Sequence, residues 1–406
     1  MRQFLAVLFV LALLAASCGG SSDEQVAEST ATSTTTADAP STTSEATTTT
    51  TTSETTTTTT TVAPEALEYL GVGEHQVGVN TITITDVARA RPLTVEIWFP
   101  VDVDSNRGAY RYSFITGDYY DSPRAIPAMA ADAAPGRFPL VVYSHGSGGI
   151  RFNHSDFTET LASHGYVVVA PDHTGDTAVD QVLGAEDDTA MIALNRPLDV
   201  IAVMDAMTAA DDAETAGWVD MVDPESIAVA GHSFGGYTTL AVAAGVELEG
   251  GTVVADDRVD AIIPLAPASR FFTDEDFARI DQPMLILVGT DDQTTPVDPN
   301  VTALWEASPS APAYRAELVD AAHASFSDVC DYLDEVAGRP EANPLVVEYL
   351  VTWADSTCSS PTMAPERVKE LTNTLSVLFL DWVFDGVAMI SADTHVIPKD
   401  LIWYER

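Results

Sequence analysis

The order of the elements predicts an α/β fold, a mostly parallel central sheet with helices on both faces. Two observations carry the prediction. Beyond residue 138, apolar runs of four to seven residues recur, rich in Val, Ile and Leu and too short for helices. Segments with apolar residues at helical spacing stand between them. Strands covered on both faces read as unbroken apolar runs of this kind, because neither side meets water.

The elements follow in order. Residues 79–87 and 93–99 are rich in Thr, Ile and Val and are separated by Ala88-Arg89-Ala90-Arg91-Pro92, which predicts an antiparallel pair. Residues 102–137 carry many aromatics, Gly and Pro but no period. Residues 139–144 form the first buried strand and run into His145-Gly146-Ser147-Gly148-Gly149. A helix is expected over 156–164, a strand over 166–170, and a helix over 196–209, where Leu198, Ile201, Ala202, Met204 and Ala206 share a helical spacing. Residues 227–230 lead directly into Gly231-His232-Ser233-Phe234-Gly235-Gly236 and a small-residue helix over 237–244. Strands over 259–265, 284–288 and 316–319 complete the expected sheet, the last as its final strand. Helices near 344–354 and 365–384 close the chain.

The first 64 residues stand apart. Arg2 precedes an apolar run over 4–16, shorter than the roughly 20 residues that span a bilayer as a helix. The run ends in Leu14-Ala15-Ala16-Ser17-Cys18-Gly19, which resembles a bacterial lipoprotein signal, with Ala15 where Leu is more usual. That reading removes residues 1–17 and acylates Cys18; the other is an ordinary secretory signal with an incidental cysteine. Several acyl chains anchor a protein stably where one binds only marginally. Residues 18–64 are almost all Ser, Thr, Ala and acidic, with threonines over 47–61 broken by Ser53 and Glu54. Such a stretch buries too little apolar surface to offset the entropy of ordering it, and reads as a disordered stalk of the kind that carries O-glycans. Residues 65–406 are enough for one large domain, and no internal repeat divides them.

The formal net charge of −43, with 18 Lys and Arg, leaves no basic patch and argues against nucleic acid as a partner. With Cys18 assigned to the signal, Cys330 and Cys358 remain as a pair. In an oxidising compartment they suit a disulfide, the alternative being two buried thiols.

The chemistry lies at the expected strand ends, where ligands bind in open parallel sheets. Gly231-x-Ser233-x-Gly235 stands between a strand and a helix, the context of a nucleophile elbow. Glycines on each side let neighbouring backbone approach, and the helix N-terminus favours developing negative charge. The acid should follow a later strand, and the run over 284–288 leads into Gly289-Thr290-Asp291-Asp292-Gln293-Thr294-Thr295-Pro296. Glycine, two residues, aspartate, three residues, proline selects Asp292, with Asp291 as the alternative. Of the eight histidines, only His323 and His395 follow the acid, and His323 lies just beyond the last expected strand. His395 reads as structural or solvated.

In this arrangement His323 takes the Ser233 proton as the hydroxyl attacks an acyl carbon, and Asp292 holds the imidazole. The backbone N–H groups of Phe234 and Ser147 are the expected oxyanion donors. No following Lys-Ser/Thr makes the 145–149 loop a nucleotide site, and no His-x-x-x-His pair suggests a metal. No cofactor is called for.

Pro139 to Gly149, Ser163 to His173, Arg196-Pro197-Leu198-Asp199 and Gly231 to Thr238 together resemble the bacterial predicted dienelactone hydrolases, close to the platelet-activating-factor acetylhydrolases. The resemblance spans roughly 75–385. It implies an α/β-hydrolase acting on carboxylic esters with short or polar acyl groups. Dienelactone hydrolases proper use a cysteine nucleophile where this chain has Ser233, which favours plain ester hydrolysis. Cutinase-type polyester hydrolases usually have Met where this chain has Phe234, so a polymer is a secondary substrate. A phospholipase-like activity, a peptidase and a non-catalytic surface-binding lipoprotein are the competing readings. Asp172, His173 and Arg196 recur in the resemblance and read as structural, while His145 and His232 should brace the backbone of their loops. Residues 102–137, 175–195 and 325–361 are the segments expected to shape the pocket.

Overall fold

A computed structural model describes residues 65–103, 107–209, 215–354, 357–358 and 362–406. The expected signal, Cys18 and the stalk lie outside the described residues.

The central sheet has ten strands. In chain order they are β1 (Gln76–Asp86), β2 (Arg91–Val101), β3 (Ile126–Pro127), β4 (Phe138–Ser144), β5 (Val167–Pro171), β6 (Val222–His232), β7 (Ala261–Leu265), β8 (Met284–Gly289), β9 (Ala313–Leu318) and β10 (Leu401–Glu405). Their spatial order is β10-β9-β8-β7-β6-β4-β5-β2-β1-β3. The run from β9 to β5 is wholly parallel. The hairpin of β1 and β2 is antiparallel, with Ile84 opposite Leu93, and joins the run through an antiparallel pairing of β2 with β5. Both halves of the expected hairpin are therefore present, each longer than its apolar stretch.

Alternation along the buried strands divides the core in two. Val141 and Tyr143 face the side covered by α1 (Ser155–Ser163) and by a long C-terminal helix, Pro365–Asp385. Leu140 and Val142 face α2 (Thr189–Thr208) and α3 (Phe234–Ala244). These side chains are fully buried, and burying each is worth about 1.5–3 kcal/mol.

Three differences from the expected elements have simple causes. The helix α2 begins seven residues before 196, because the Asp188 side chain caps it by accepting from the Met191 amide at 2.9 Å. The strand β9 is not the last: β10 pairs antiparallel along its outer edge, from Leu318↔Leu401 to Tyr314↔Glu405. Leu401-Ile402-Trp403-Tyr404 is an apolar run that the sequence reading passed over, although only Leu401 of the strand is buried at this sheet edge. Helices α4 (Val297–Ala307) and α5 (Val329–Ala337) were not anticipated, although Val329, Tyr332 and Val336 of α5 are buried at helical spacing. Next come α6 (Pro344–Ala354) and α7, the Pro365–Asp385 helix, both close to their expected bounds.

Cys330 and Cys358 are bonded, joining the first turn of α5 to the residue pair beyond α6. The bond closes a loop of 28 residues in sequence. Cross-linking a loop of this size restricts the unfolded chain by about 3 kcal/mol. The double variant Cys330→Ser/Cys358→Ser should therefore unfold at lower urea, with a loss of about 3 kcal/mol. An unchanged midpoint would show that the bridge adds no stability.

Candidate active site

The elbow depends on backbone meeting backbone. A Cβ on Gly235 would lie 1.9 Å from the Ser144 carbonyl oxygen, and one on Gly231 would lie 2.4 Å from the Gly235 oxygen. Glycine at both positions is thus a steric requirement of strand β4 and the start of α3 running so close together. Between them Ser233 adopts φ 59° and ψ −117°, a conformation that L-residues rarely hold. It is fixed on three sides: the Ser233 amide donates to the Leu265 carbonyl at 2.9 Å, and its carbonyl accepts from Ala268 at 3.0 Å and Tyr237 at 3.2 Å.

The Ser233 hydroxyl stands 2.9 Å from His323 Nε2, and His323 Nδ1 lies 2.7 Å from Asp292 Oδ2. The three residues come from the ends of β6, β8 and β9 and form one hydrogen-bonded chain. His323 opens a short 3-10 turn over His323–Phe326, reached two residues after Ala321, whose amide turns back to the Leu318 carbonyl. Asp292 is buried, and its Oδ1 accepts from the amides of Thr294 at 2.8 Å and Thr295 at 2.7 Å. Burial alone would raise its carboxyl, but the bonds from His323 and Thr295 outweigh it and hold the pKa below the ordinary value. Asp291 points elsewhere, is exposed, and accepts from the Gln293 side chain.

Thr295 is a member that the sequence did not single out. Its hydroxyl lies 2.9 Å from Asp292 Oδ2, 2.9 Å from the Ala266 carbonyl and 3.1 Å from His323 Nδ1. Its position three residues after the aspartate, where an Asp side chain commonly bonds the following turn, was the available signal.

The loop after β4 lies directly against the nucleophile, for a Cβ on Gly146 would sit 3.3 Å from that of Ser233. Ser147 lines the pocket beside Ser233. Phe234 is the first residue of α3, so its amide has no acceptor within the helix. A buried ion pair sets the loop. Arg196 bonds Asp176 at 2.6 Å and the His145 carbonyl, while Asp176 Oδ1 accepts from Ser147 Oγ at 2.8 Å and the Gly148 amide at 3.0 Å. Asp176, four residues past the Asp172 that was weighed, is the second residue the sequence reading missed. His173 bridges Ser144 Oγ at 2.9 Å and Asp199 at 3.1 Å, and Asp172 pairs with Arg151 at 2.8 Å, so both brace the scaffold.

Four buried histidines surround the site. His145 and His154 lie well below the ordinary imidazole value, His173 at about 4 and His232 at about 3. Burial is the first cause in each, followed by the Arg196 guanidinium for His145 and His173 and by electrostatic coupling to an adjacent imidazole for His232 and His154. His232 packs on His323 with ring centroids 4.6 Å apart, and its Nε2–H donates to the His323 carbonyl at 2.9 Å. His154 follows at 4.9 Å from His232. His395 lies in a two-residue strand, His395–Val396, paired with Glu65–Ala66, remote in role from these.

The pocket measures about 150 Å³. Among the described residues of the three segments expected to shape it, those of 325–361 alone contribute lining side chains, including Tyr332, Tyr349 and Trp353. The aromatics of 102–137 pack internally: Tyr112 is buried, takes the Trp98 indole N–H at 2.6 Å and donates to Glu159 at 2.7 Å. Residues 175–195 instead supply Asp176, the acidic half of the loop's ion pair.

A parallel sheet with an elbow at the end of β6 and partners beyond β8 and β9 defines an α/β-hydrolase. Over residues 124–196 the chain matches the family described as platelet-activating factor acetylhydrolase, isoform II. The matched stretch contains the 145–149 loop, His173, Asp176 and Arg196. Among solved structures, the fold is similar to that of a ferulic acid esterase from Streptomyces cinnamoneus, at 20% identity with a TM-score of 0.58. The alignment covers 84% of this chain and 99% of that one. The chain thus has the α/β-hydrolase fold, and over residues 124–196 it is similar to the platelet-activating factor acetylhydrolases.

Two outcomes follow. Gly235→Ala should cost about 3 kcal/mol or more, since its Cβ meets backbone that cannot move aside, and thermal denaturation would register it. Wild-type stability there would mean that the chains lie farther apart. Unfolded histidines titrate near about 6.5, and these four bind protons only at lower pH when folded, so the unfolded state takes up more protons below that value. Stability should be complete above about pH 6.5 and fall steadily toward pH 4, as a declining Tm. A flat Tm across that window would contradict neutral, buried imidazoles.

Proposed function

We propose that the protein is a serine carboxylic-ester hydrolase acting through an acyl-enzyme, held outside the cytoplasm by a lipid on Cys18. The observation that carries the reading is the unbroken chain Ser233–His323–Asp292 at the mouth of the pocket. Ser233 Oγ attacks the ester carbonyl while His323 Nε2 takes its proton. Asp292 and Thr295 keep the opposite ring nitrogen occupied, so that Nε2 is the free base. The amides of Phe234 and Ser147 receive the oxyanion. His323 then returns the proton to the leaving alcohol, and water releases the acid by the same steps in reverse. The reaction needs no cofactor.

Substrates are small-molecule or lipid esters with short or polar acyl groups, with polyesters secondary. The match to the platelet-activating factor acetylhydrolase family over 124–196 favours a second reading, removal of a short acyl chain from a phospholipid. The apolar run over 4–16 and Cys18 support the anchor, and the Ser- and Thr-rich residues beyond it support a stalk.

The test is hydrolysis of p-nitrophenyl esters and of a short-acyl phospholipid by the wild type and Ser233→Ala. Replacement should lower kcat/KM by about 10⁴-fold on whichever ester is cleaved. Activity surviving in the variant would remove Ser233 as nucleophile. Separately, Cys18→Ser should move the protein from the membrane fraction to the medium; retention in the membrane would exclude the acyl anchor.

A further inference from the structure

The arm formed by α5 and α6 is built unlike the rest of the structure around the pocket. Its two helices are closed into one unit by the Cys330–Cys358 bond, and the Cys358 amide turns back onto the Ala354 carbonyl at 2.9 Å. Its base is fastened to α1. Buried Asp328 accepts from Ser155 Oγ at 2.8 Å and from the Asp156 amide at 2.9 Å, and the Tyr332 hydroxyl donates to the Phe152 carbonyl. Its far side reaches the oxyanion loop, where the Tyr349 hydroxyl donates to the Gly148 carbonyl at 3.1 Å. Val329, Tyr332, Tyr349, Leu350 and Trp353 all line the pocket, so one stapled element supplies most of its apolar surface.

Taking the ester-hydrolase reading as given, we propose that this arm sets acyl specificity, and that Trp353 is the side chain that limits acyl length. The space of about 150 Å³ is that of a cavity which accepts one benzene ring. An uncharged acyl group of about six carbons or one ring fills it. Among the described residues no Lys, Arg, Asp or Glu lines the pocket, which disfavours a charged acyl group. Trp353 is the largest lining side chain and sits in the last turn of α6, next to the stapled end. An arm held at its base, at its staple and at Tyr349 cannot swing outward to admit a longer chain, so the length limit is fixed by side-chain volume. Tyr349 is a positioning residue, because its bond to Gly148 ties the arm to the loop that carries the Ser147 amide.

The experiment is a p-nitrophenyl ester series from acetate to decanoate with the full chain, comparing wild type, Trp353→Ala, Trp353→Leu and Tyr349→Phe. Wild-type kcat/KM should peak near about six carbons and decline beyond. Trp353→Ala should raise the decanoate-to-butyrate ratio of kcat/KM about tenfold, the worth of burying roughly two more methylene groups, through KM and with acetate turnover kept. Trp353→Leu should move the ratio the same way by less, and serves if the alanine variant does not fold. Tyr349→Phe should lower kcat by a similar factor on every ester while leaving the ratio alone. Turnover with an unchanged ratio in both Trp353 variants overturns the specificity proposal and leaves the esterase reading standing. No turnover of any ester by the wild type overturns the esterase reading, and this proposal with it.

Discussion

The Ser144 carbonyl oxygen occupies space that a side chain on Gly235 would need, and everything functional in the molecule is arranged around that approach. Because β4 and the start of α3 can come so near, the turn between β6 and α3 is tight enough to force Ser233 into its positive-φ conformation. The strain costs of order 1–3 kcal/mol and persists because the neighbouring backbone over-determines it. The same closeness brings the loop after β4 against Ser233. A single steric fact thereby positions the hydroxyl, the loop and the helix end together.

Charge is arranged around this scaffold in two layers. The inner one is the Asp292–His323–Ser233 chain, whose acid is kept ionised by hydrogen bonds against the pull of burial. The outer one is the Arg196–Asp176 pair, with Asp199 holding His173 and both Arg89 and Arg91. Truncating one partner of a buried pair leaves the other charge uncompensated, so this outer layer resists piecemeal change. Its Arg196, Asp176 and His173 lie within the stretch that matches the acetylhydrolase family, which ends at Arg196, while Arg89, Arg91 and Asp199 lie outside it. The nucleophile, acid and base all fall outside that stretch.

Much of this was legible in the sequence, for a physical reason in each case. Parallel strands buried on both faces must be continuous apolar runs, so β4 to β9 announced themselves. The elbow was legible because only glycine tolerates the approach, and the acid and base because each follows a strand in a fixed chain order. What escaped was held by contacts distant in sequence. Thr295 and Asp176 carry no pattern until the turn and the loop are folded. The tyrosines of 102–137 looked like pocket walls because aromatic composition does not distinguish packing from lining. The amphipathic spacing of α5 and the apolar run of β10, by contrast, were present and could have been read.

The row of tilted imidazoles, His154, His232 and His323, has a consequence for where charge can travel. Burial holds the His232 and His154 imidazoles below their ordinary value, which disfavours passing on to them the proton that the proposed mechanism has His323 take from Ser233. The row is an insulator, not a wire. In the proposed ester hydrolysis the proton therefore stays on one ring, within reach of the departing or arriving oxygen, and the buried residues behind that ring close off its leakage toward the interior.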